Sequence, residues 1–80
     1  MRALVYVTLK SGVLDPQGKA VGNSLQRLGF DEVREVRQGK FMEIELEGQD
    51  PEAAKARLSE MCEALLANTV IEDYRVEVEG

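Results

Sequence analysis

Three stretches of the chain place apolar residues at every second position: residues 2–10, 42–47 and 74–79. This spacing is typical of β-strands, because successive side chains along a strand point to opposite faces of the sheet. In the second and third stretches the alternate positions are charged, so one face of each strand is predicted to meet water. The first stretch differs, since Leu4 and Tyr6 place apolar side chains on its second face as well.

Two helices are predicted between these strands, each beginning at an Asp-Pro pair, at positions 15–16 and 50–51. The aspartate suits the N-cap, and the proline suits the first helical position, whose N–H has no intrahelical partner. The first helix is predicted to end before Gly29, and the second at about Ala67. The apolar residues at helical spacing are Val21, Leu25 and Leu28 in the first helix and Ala54, Leu58, Met61, Cys62, Leu65 and Leu66 in the second.

Residues 31–37 are expected to form an edge strand, although Val33 and Val36 are out of phase for a regular one. We expect it to be irregular or bulged, and to join the next strand through a two-residue turn at Gln38 and Gly39. The element order is then β-α-β-β-α-β. It predicts an α+β protein, a ferredoxin-like two-layer sandwich whose antiparallel sheet, in strand order 4-1-3-2, carries both helices on one face. Residues 1–80 are expected to form a single domain.

The face of the sheet opposite the helices is predicted to be uncovered. It carries Leu4, Tyr6 and Phe41 beside a row of glutamates. One interpretation is a solvated face with isolated apolar residues, and the other is the contact face of a homo-oligomer. The short length of the chain supports the homo-oligomer, because 80 residues bury only a small core and association would add buried surface to it.

Composition excludes several kinds of chemistry. The chain has no histidine and one cysteine, Cys62, so it lacks the ligands of a structural zinc site and the usual base of a catalytic triad. A net charge of −5 opposes nucleic-acid binding, whose affinity comes largely from lysine and arginine. No apolar run approaches the roughly 20 residues of a membrane span, and the N-terminus has no signal-peptide pattern. We expect a soluble, cytoplasmic protein that contacts neither nucleic acid nor membrane.

The few candidate catalytic groups each have a plainer structural role. The glutamates at alternate positions of residues 43–47 are typical of the solvated face of a strand. Cys62 lies beside an apolar stripe, where a free cysteine acts as a small hydrophobe, and Asp15 suits a helix cap. The glycines match neither the dinucleotide nor the P-loop spacing. We therefore predict no catalytic, cofactor-binding or metal site on this chain.

Several function classes share this fold, so function has to be argued from residues. An RNA-recognition module would use Tyr6 and Phe41 as stacking platforms, but the surrounding acidic residues oppose it. A regulatory small-molecule-binding domain of ferredoxin-like fold stays open as an alternative, although such domains usually sit inside larger proteins. A subunit of an assembly fits an isolated chain of this length better.

Six segments, in order and along the whole chain, carry a resemblance to one family. They are Gly12–Val21, Leu28–Phe30, Gly39–Lys40, Met61–Glu63, Leu65–Asn68 and Val70–Tyr74. On these segments the chain is identified as a member of the PurS family, the small subunit of phosphoribosylformylglycinamidine synthase in purine biosynthesis. One departure is Thr69, which stands where family members commonly have proline.

The resemblance implies a subunit that is not an enzyme on its own and that bridges a glutaminase subunit and a large synthetase subunit. The complex is a C–N ligase that converts formylglycinamide ribonucleotide, glutamine and ATP to the amidine, glutamate, ADP and phosphate. The bridging chain would assist the transfer of ammonia between the two active sites, and ATP and glutamine would be bound by the complex rather than by this chain. Family members are also oligomers, which implies a homodimer or homotetramer.

Two segments are candidates for contact with these partners. In the loop of residues 11–18, apolar Val13 and Leu14 have no periodicity, so they either face a partner or pack beneath the first helix as a hydrophobic staple. Residues 68–73 either make a contact or only cap the second helix. The glycines at positions 18 and 22 either permit close approach of another backbone or simply weaken the helix. The candidate interface residues are Val13, Leu14, Asp15, Pro16, Gln17, Gly18, Asn68, Val70 and Ile71.

Overall fold

A computed structural model of the chain describes residues 1–79, so that Gly80, included in the predicted domain, lies outside the described residues. Its elements are, in chain order, β1 (Arg2–Leu9), α1 (Pro16–Arg27), β2 (Gly39–Glu45), α2 (Pro51–Met61), a π-helical turn (Cys62–Leu66) and β3 (Glu72–Glu79). The three strands are those predicted from apolar alternation, and both helices begin at the predicted prolines.

β1 lies at the centre of a three-stranded antiparallel sheet in the order β2-β1-β3. Val5 of β1 pairs with Met42 of β2 on one side and with Val76 of β3 on the other. This register places the apolar positions of all three strands on one face. The predicted α+β class is confirmed, and the three strands keep the neighbours expected in the ferredoxin-like order.

The core is formed where α2 packs on the sheet. Ala3, Val5 and Val7 of β1 are fully buried beneath Leu58 and Cys62 of the helix. The alternate apolar residues of β2 and β3 surround them and are partly buried. Burial of each large side chain stabilises the fold by roughly 1.5–3 kcal/mol, so this single layer of side chains supplies most of the stability.

The end of α2 differs from the predicted regular helix. Residues 62–66 form a π-helical turn, closed by a hydrogen bond of 3.0 Å from the N–H of Ala67 to the carbonyl of Cys62. A π turn holds more residues than an α turn, so the core-facing position moves along the chain. Ala67 is therefore buried, whereas Leu65, predicted to face the core, is 83% exposed.

α1 has both of its predicted ends. The carboxylate of Asp15 caps its N-terminus, and Gly29 follows its last turn in the left-handed conformation with φ of 103°. The N–H of Phe30 donates to the carbonyl of Leu25 at 3.0 Å, which closes the helix as a Schellman motif does.

α1 does not lie on the sheet, however, so the expectation of two helices covering one face holds only for α2. No residue of α1 belongs to the core, and Leu28 on its predicted apolar stripe is 73% exposed. The radius of gyration is 15.8 Å, compared with about 12 Å expected for a compact domain of this length. We call residues 10–38 the α1 arm: the loop after β1, α1 itself and the extended segment that follows it.

The strand predicted over residues 31–37 is not present, and no turn forms at Gln38 and Gly39. Gly39 is instead the first residue of β2, opposite Thr8. The physical reason is the spacing of Val33 and Val36, which gives no apolar face for a sheet to bury. The segment lies along α1, where the side-chain amide of Gln26 donates to the carbonyl of Val33 at 2.8 Å.

The two glycines of α1 allow this close approach. Gly18 and Gly22 are the only buried residues of the helix, and both lie against Val36. A Cβ atom at Gly18 would stand 2.3 Å from the backbone oxygen of Val36, far inside van der Waals contact. At Gly22 the nearest atom would be the Val36 Cγ2, at an ordinary 3.5 Å. The glycine at position 18 is thus required by the chain's own packing.

These distances predict opposite effects for two equivalent substitutions. Gly18→Ala should destabilise the protein by about 1–3 kcal/mol, because the backbone of the arm has to move. Gly22→Ala should be neutral or should stabilise by up to about 1 kcal/mol, because alanine is the better helix former and space is available. Urea denaturation followed by circular dichroism measures both. Equal destabilisation by the two variants would show that the approach of Val36 to Gly18 is not as described.

Candidate functional site

The two segments predicted to contact partners lie at the same end of the molecule. The N–H of Lys10, at the start of the loop, donates to the carbonyl of Ile71 at 2.8 Å. The Lys10 ammonium also forms an ion pair with Asp73 at 2.9 Å. The loop of residues 11–18 therefore begins beside the end of the turn of residues 68–71, although the two are far apart in sequence.

Asp15 fixes the loop both to the helix and to the end of the extended segment, at the residue before β2. One carboxylate oxygen accepts from the N–H of Gly18 at 2.9 Å, and the other accepts from the N–H of Gln38 at 2.8 Å. These two hydrogen bonds, first that of Gly18 and then that of Gln38, hold the pKa of Asp15 below its usual value. Asp15 is thus a structural carboxylate with its oxygens engaged, which leaves it little capacity to act as a base.

The loop presents an apolar side chain to solvent. Leu14 is 73% exposed, so it does not pack beneath α1 as a hydrophobic staple. Val13 is half-buried, and Pro16 and Gln17 are exposed. Gly18 is buried within the chain. Leu14 is therefore the residue of the loop most available to another protein.

The turn of residues 68–71 combines a structural residue with an exposed apolar one. The side-chain oxygen of Asn68 accepts from the N–H of Val70 at 3.2 Å, and its carbonyl accepts from the N–H groups of Ile71 and Glu72. Asn68 thereby shapes the entry into β3. Val70 is 81% exposed at the tip of this turn, and Ile71 is 38% exposed.

The face of the sheet opposite α2 carries the predicted aromatic pair. The rings of Tyr6 and Phe41 lie 5.1 Å apart between centroids, and the guanidinium of Arg75 stands 4.1 Å above the Tyr6 ring. The Arg75 guanidinium also pairs with Glu77. Tyr6 and Leu4 are half-buried, whereas Phe41 is 53% exposed. The aromatic groups thus interact mainly with each other and with a cation, an arrangement that needs no stacked base.

The remaining candidate groups are not placed for catalysis or for binding a metal ion. Cys62 is fully buried in the core, where burial, and then the charge of Glu63, raises the pKa of its thiol. Its thiolate is therefore disfavoured. Within residues 1–79 no group of three or more histidine, cysteine or acidic residues is placed to hold a metal ion. Over the same residues, no helix is long and apolar enough to cross a membrane.

An uneven distribution of charge was missed by reasoning from total composition. The α1 arm holds five basic and four acidic residues, whereas the rest of the chain holds five basic and eleven acidic residues. Four cations make no ion pair with another described residue, and all four lie on the arm: Lys19, Arg27, Arg34 and Arg37. A count of charges by segment would have revealed this difference.

Comparison with known proteins gives one consistent family. The sequence profile of PurS, described as phosphoribosylformylglycinamidine (FGAM) synthase, matches residues 2–80. The phosphoribosylformylglycinamidine synthase subunit PurS of Bacillus subtilis (strain 168) is 56% identical to the chain over 75 residues, which are 94% of this chain and 88% of that protein.

Solved structures agree over nearly the full length. The crystal structure of Methanocaldococcus jannaschii PurS, one of the subunits of formylglycinamide ribonucleotide amidotransferase in the purine biosynthetic pathway, matches with a TM-score of 0.88 and 44% identity. That match covers 98% of this chain and 94% of the other. The structure of PurLQS from Thermotoga maritima contains a chain that matches with a TM-score of 0.86 and 32% identity, over 95% of this chain and 93% of the other.

The two hydrogen bonds of Asp15 predict a pH-dependent effect of Asp15→Asn. Asparagine keeps one acceptor oxygen for Gly18 and loses the bond to Gln38, so at pH 7 the variant should melt about 5 °C lower. Because the pKa of Asp15 is lowered by folding, its carboxylate stabilises the fold above the unfolded value of about 4, and this stabilisation is lost as pH falls through the lower folded value. The difference in melting temperature should therefore shrink below about pH 4.

Thermal melts between neutral and strongly acidic pH measure this, with Asp31→Asn as the control. Asp31 is an exposed acidic residue of the same arm, and its carboxylate accepts no hydrogen bond from another residue in the described chain. A difference between wild type and Asp15→Asn that is the same at neutral and acidic pH would contradict the role given to the carboxylate.

Proposed function

The chain belongs to the PurS family and is a non-catalytic subunit of phosphoribosylformylglycinamidine synthase, and we propose that it bridges the glutaminase and synthetase subunits of that enzyme. In this role it assists the transfer of ammonia from one active site to the other. ATP and glutamine are bound and consumed by the partner subunits, in the cytoplasm. The observation that carries the proposal is the pair of exposed segments, residues 11–18 and 68–71, that meet at one end of an elongated chain.

Apolar side chains exposed on loops support a contact at this end. Leu14 and Val70 are 73% and 81% exposed, and each lies in a segment whose backbone is fixed by hydrogen bonds. A pre-ordered loop loses little conformational entropy when it binds, and exposed apolar groups gain free energy when a partner covers them. The full proposed contact comprises Val13, Leu14, Asp15, Pro16, Gln17, Gly18, Asn68, Val70 and Ile71.

The shape of the chain supports contact with more than one subunit. Its principal extents are 48, 26 and 14 Å, so its two ends are separated by more than the width of the sheet. A bridging subunit has to hold two active sites in a fixed relation, because ammonia released into water is protonated to ammonium and can no longer attack the substrate. An elongated protein of one domain can meet this requirement without catalytic groups of its own.

We also propose that the chain forms a homo-oligomer, a dimer or a tetramer. Residues 1–79 leave much of the apolar stripe of α1 uncovered: Val21 and Leu28 are 42% and 73% exposed, and Phe30 after the helix is 49% exposed. A second copy that covers this stripe would add to a core of limited size. The open sheet face with Leu4, Tyr6 and Phe41 is the second candidate surface, although its two aromatic rings already contact each other.

The bridging role predicts a selective dependence on the nitrogen donor. In a mixture of the glutaminase and synthetase subunits, omission of this chain should abolish amidine formation from glutamine. It should affect formation from a high concentration of ammonium salt much less, because free ammonia reaches the synthetase without transfer. An unchanged glutamine-driven rate would contradict bridging, and equal loss of both rates would show that the chain instead completes the synthetase site.

A matched pair of variants tests, in the same assay, whether the contact is made through the loop of residues 11–18. Leu14→Glu should lower the glutamine-driven rate at least about tenfold, the effect of a buried charge in an apolar contact. Leu65→Glu introduces the same charge at an equally exposed apolar position on the π-helical turn, 83% exposed, and should leave the rate within about twofold of wild type. Equal effects of the two variants would contradict a contact through the loop.

A further inference from the structure

A solvent-open cleft of about 600 Å³ lies inside the α1 arm, between the loop after β1, the first turns of α1 and the extended segment. Its lining includes four basic residues and only two acidic ones, in a chain whose net charge is −5. The basic residues come from three separate parts of the arm: Lys10, Lys19, Arg34 and Arg37. The fold therefore concentrates positive charge here that the sequence disperses.

Part of this charge is not neutralised by residues 1–79. Lys19, Arg34 and Arg37 have no carboxylate within ion-pair distance among residues 1–79, whereas Lys10 is paired with Asp73. Asp15, one of the two acidic residues, has both oxygens engaged by backbone N–H groups. Asp15 nevertheless keeps its negative charge, so Asp15 and Glu35 together oppose Lys19, Arg34 and Arg37, and the lining retains an excess of one positive charge.

The remaining lining suits an organic molecule with an anionic group. Val13, Leu14 and Val36 give an apolar wall, and Ser11 and Asn23 add neutral hydrogen-bonding side chains. The volume lies within the range of small-molecule sites. Arginine binds phosphate through two parallel N–H groups, and both Arg34 and Arg37 line the cleft from the extended segment.

We propose that this cleft binds a small organic phosphate of nucleotide or sugar-phosphate size, with Arg34, Arg37 and Lys19 around the phosphate. Such binding would be a second property of the chain, at a site that shares Val13, Leu14, Asp15 and Gly18 with the proposed bridging contact. It would place an organic phosphate between α1 and the extended segment, and so would couple the position of the arm to the concentration of that ligand.

Titration of the ¹⁵N-labelled full chain with ADP, ribose 5-phosphate and inorganic phosphate tests this by NMR. Saturable shifts are expected for backbone amides of residues 11–19 and 34–37, with tighter binding of one organic phosphate than of inorganic phosphate. The organic ligand that binds more tightly identifies the source of the phosphate. No saturable shift at millimolar ligand, or shifts confined to other surfaces because a second copy fills the cleft, would overturn the proposal.

A charge-matched control separates a site from general electrostatic attraction. Arg34→Gln and Arg37→Gln should each weaken binding about tenfold, the loss expected for one charged hydrogen-bonded contact. Arg27→Gln removes a cation of the same arm that also lacks an ion pair and does not line the cleft, and it should change affinity less than about twofold. Equal weakening by all three variants would overturn the site. The spectra themselves show whether each variant is folded.

Discussion

The packing of α2 on the central strand is the interaction on which the rest of the structure depends. Leu58 and Cys62 cover Ala3, Val5 and Val7, and these five side chains form nearly the whole fully buried core. A core of this size is completed by one helix and one sheet face. α1 is therefore left to pack on the chain's own extended segment, and its apolar stripe remains available to other molecules.

Local signals in the sequence were sufficient for most elements of this fold. The Asp-Pro pairs placed both helix starts, because an N-cap and a first-turn proline act through neighbouring backbone groups alone. Strict alternation placed the three strands. Residues 31–37 form no strand because the spacing of Val33 and Val36 gives a sheet no apolar face to bury. That the segment packs on α1 instead depends on the approach of Val36 to Gly18, a contact between separate segments that periodicity does not express. The π-helical turn that begins at Cys62, likewise, has no sequence pattern that distinguishes it from a continued α-helix.

The candidate site was predictable from the sequence only where the evidence lay within a single segment of the chain. Val13 and Leu14 stood out as apolar residues in a connection without periodicity; Leu14 is exposed, whereas Val13 is half-buried. Val70 belonged to the second candidate segment and is also exposed. The charged cleft was not predictable in this way, since Lys19 and the two arginines of the extended segment come together only through the fold of the arm. A negative total charge concealed the local excess of cations. The total charge predicts that the protein repels anions, and this prediction does not hold at the cleft, where basic residues outnumber acidic ones.

A core too small to include α1 leaves the apolar stripe of this helix exposed, and the proposed homo-oligomer covers it with a second copy. Sedimentation equilibrium of the chain alone at micromolar concentration, beside Leu28→Glu, tests it most directly, since Leu28 is 73% exposed and its replacement leaves the core intact. A mass of two or four times 8.9 kDa is expected for the wild type, and 8.9 kDa for the variant. A wild-type mass of 8.9 kDa, or a variant that remains associated, would contradict self-association through the apolar stripe of α1.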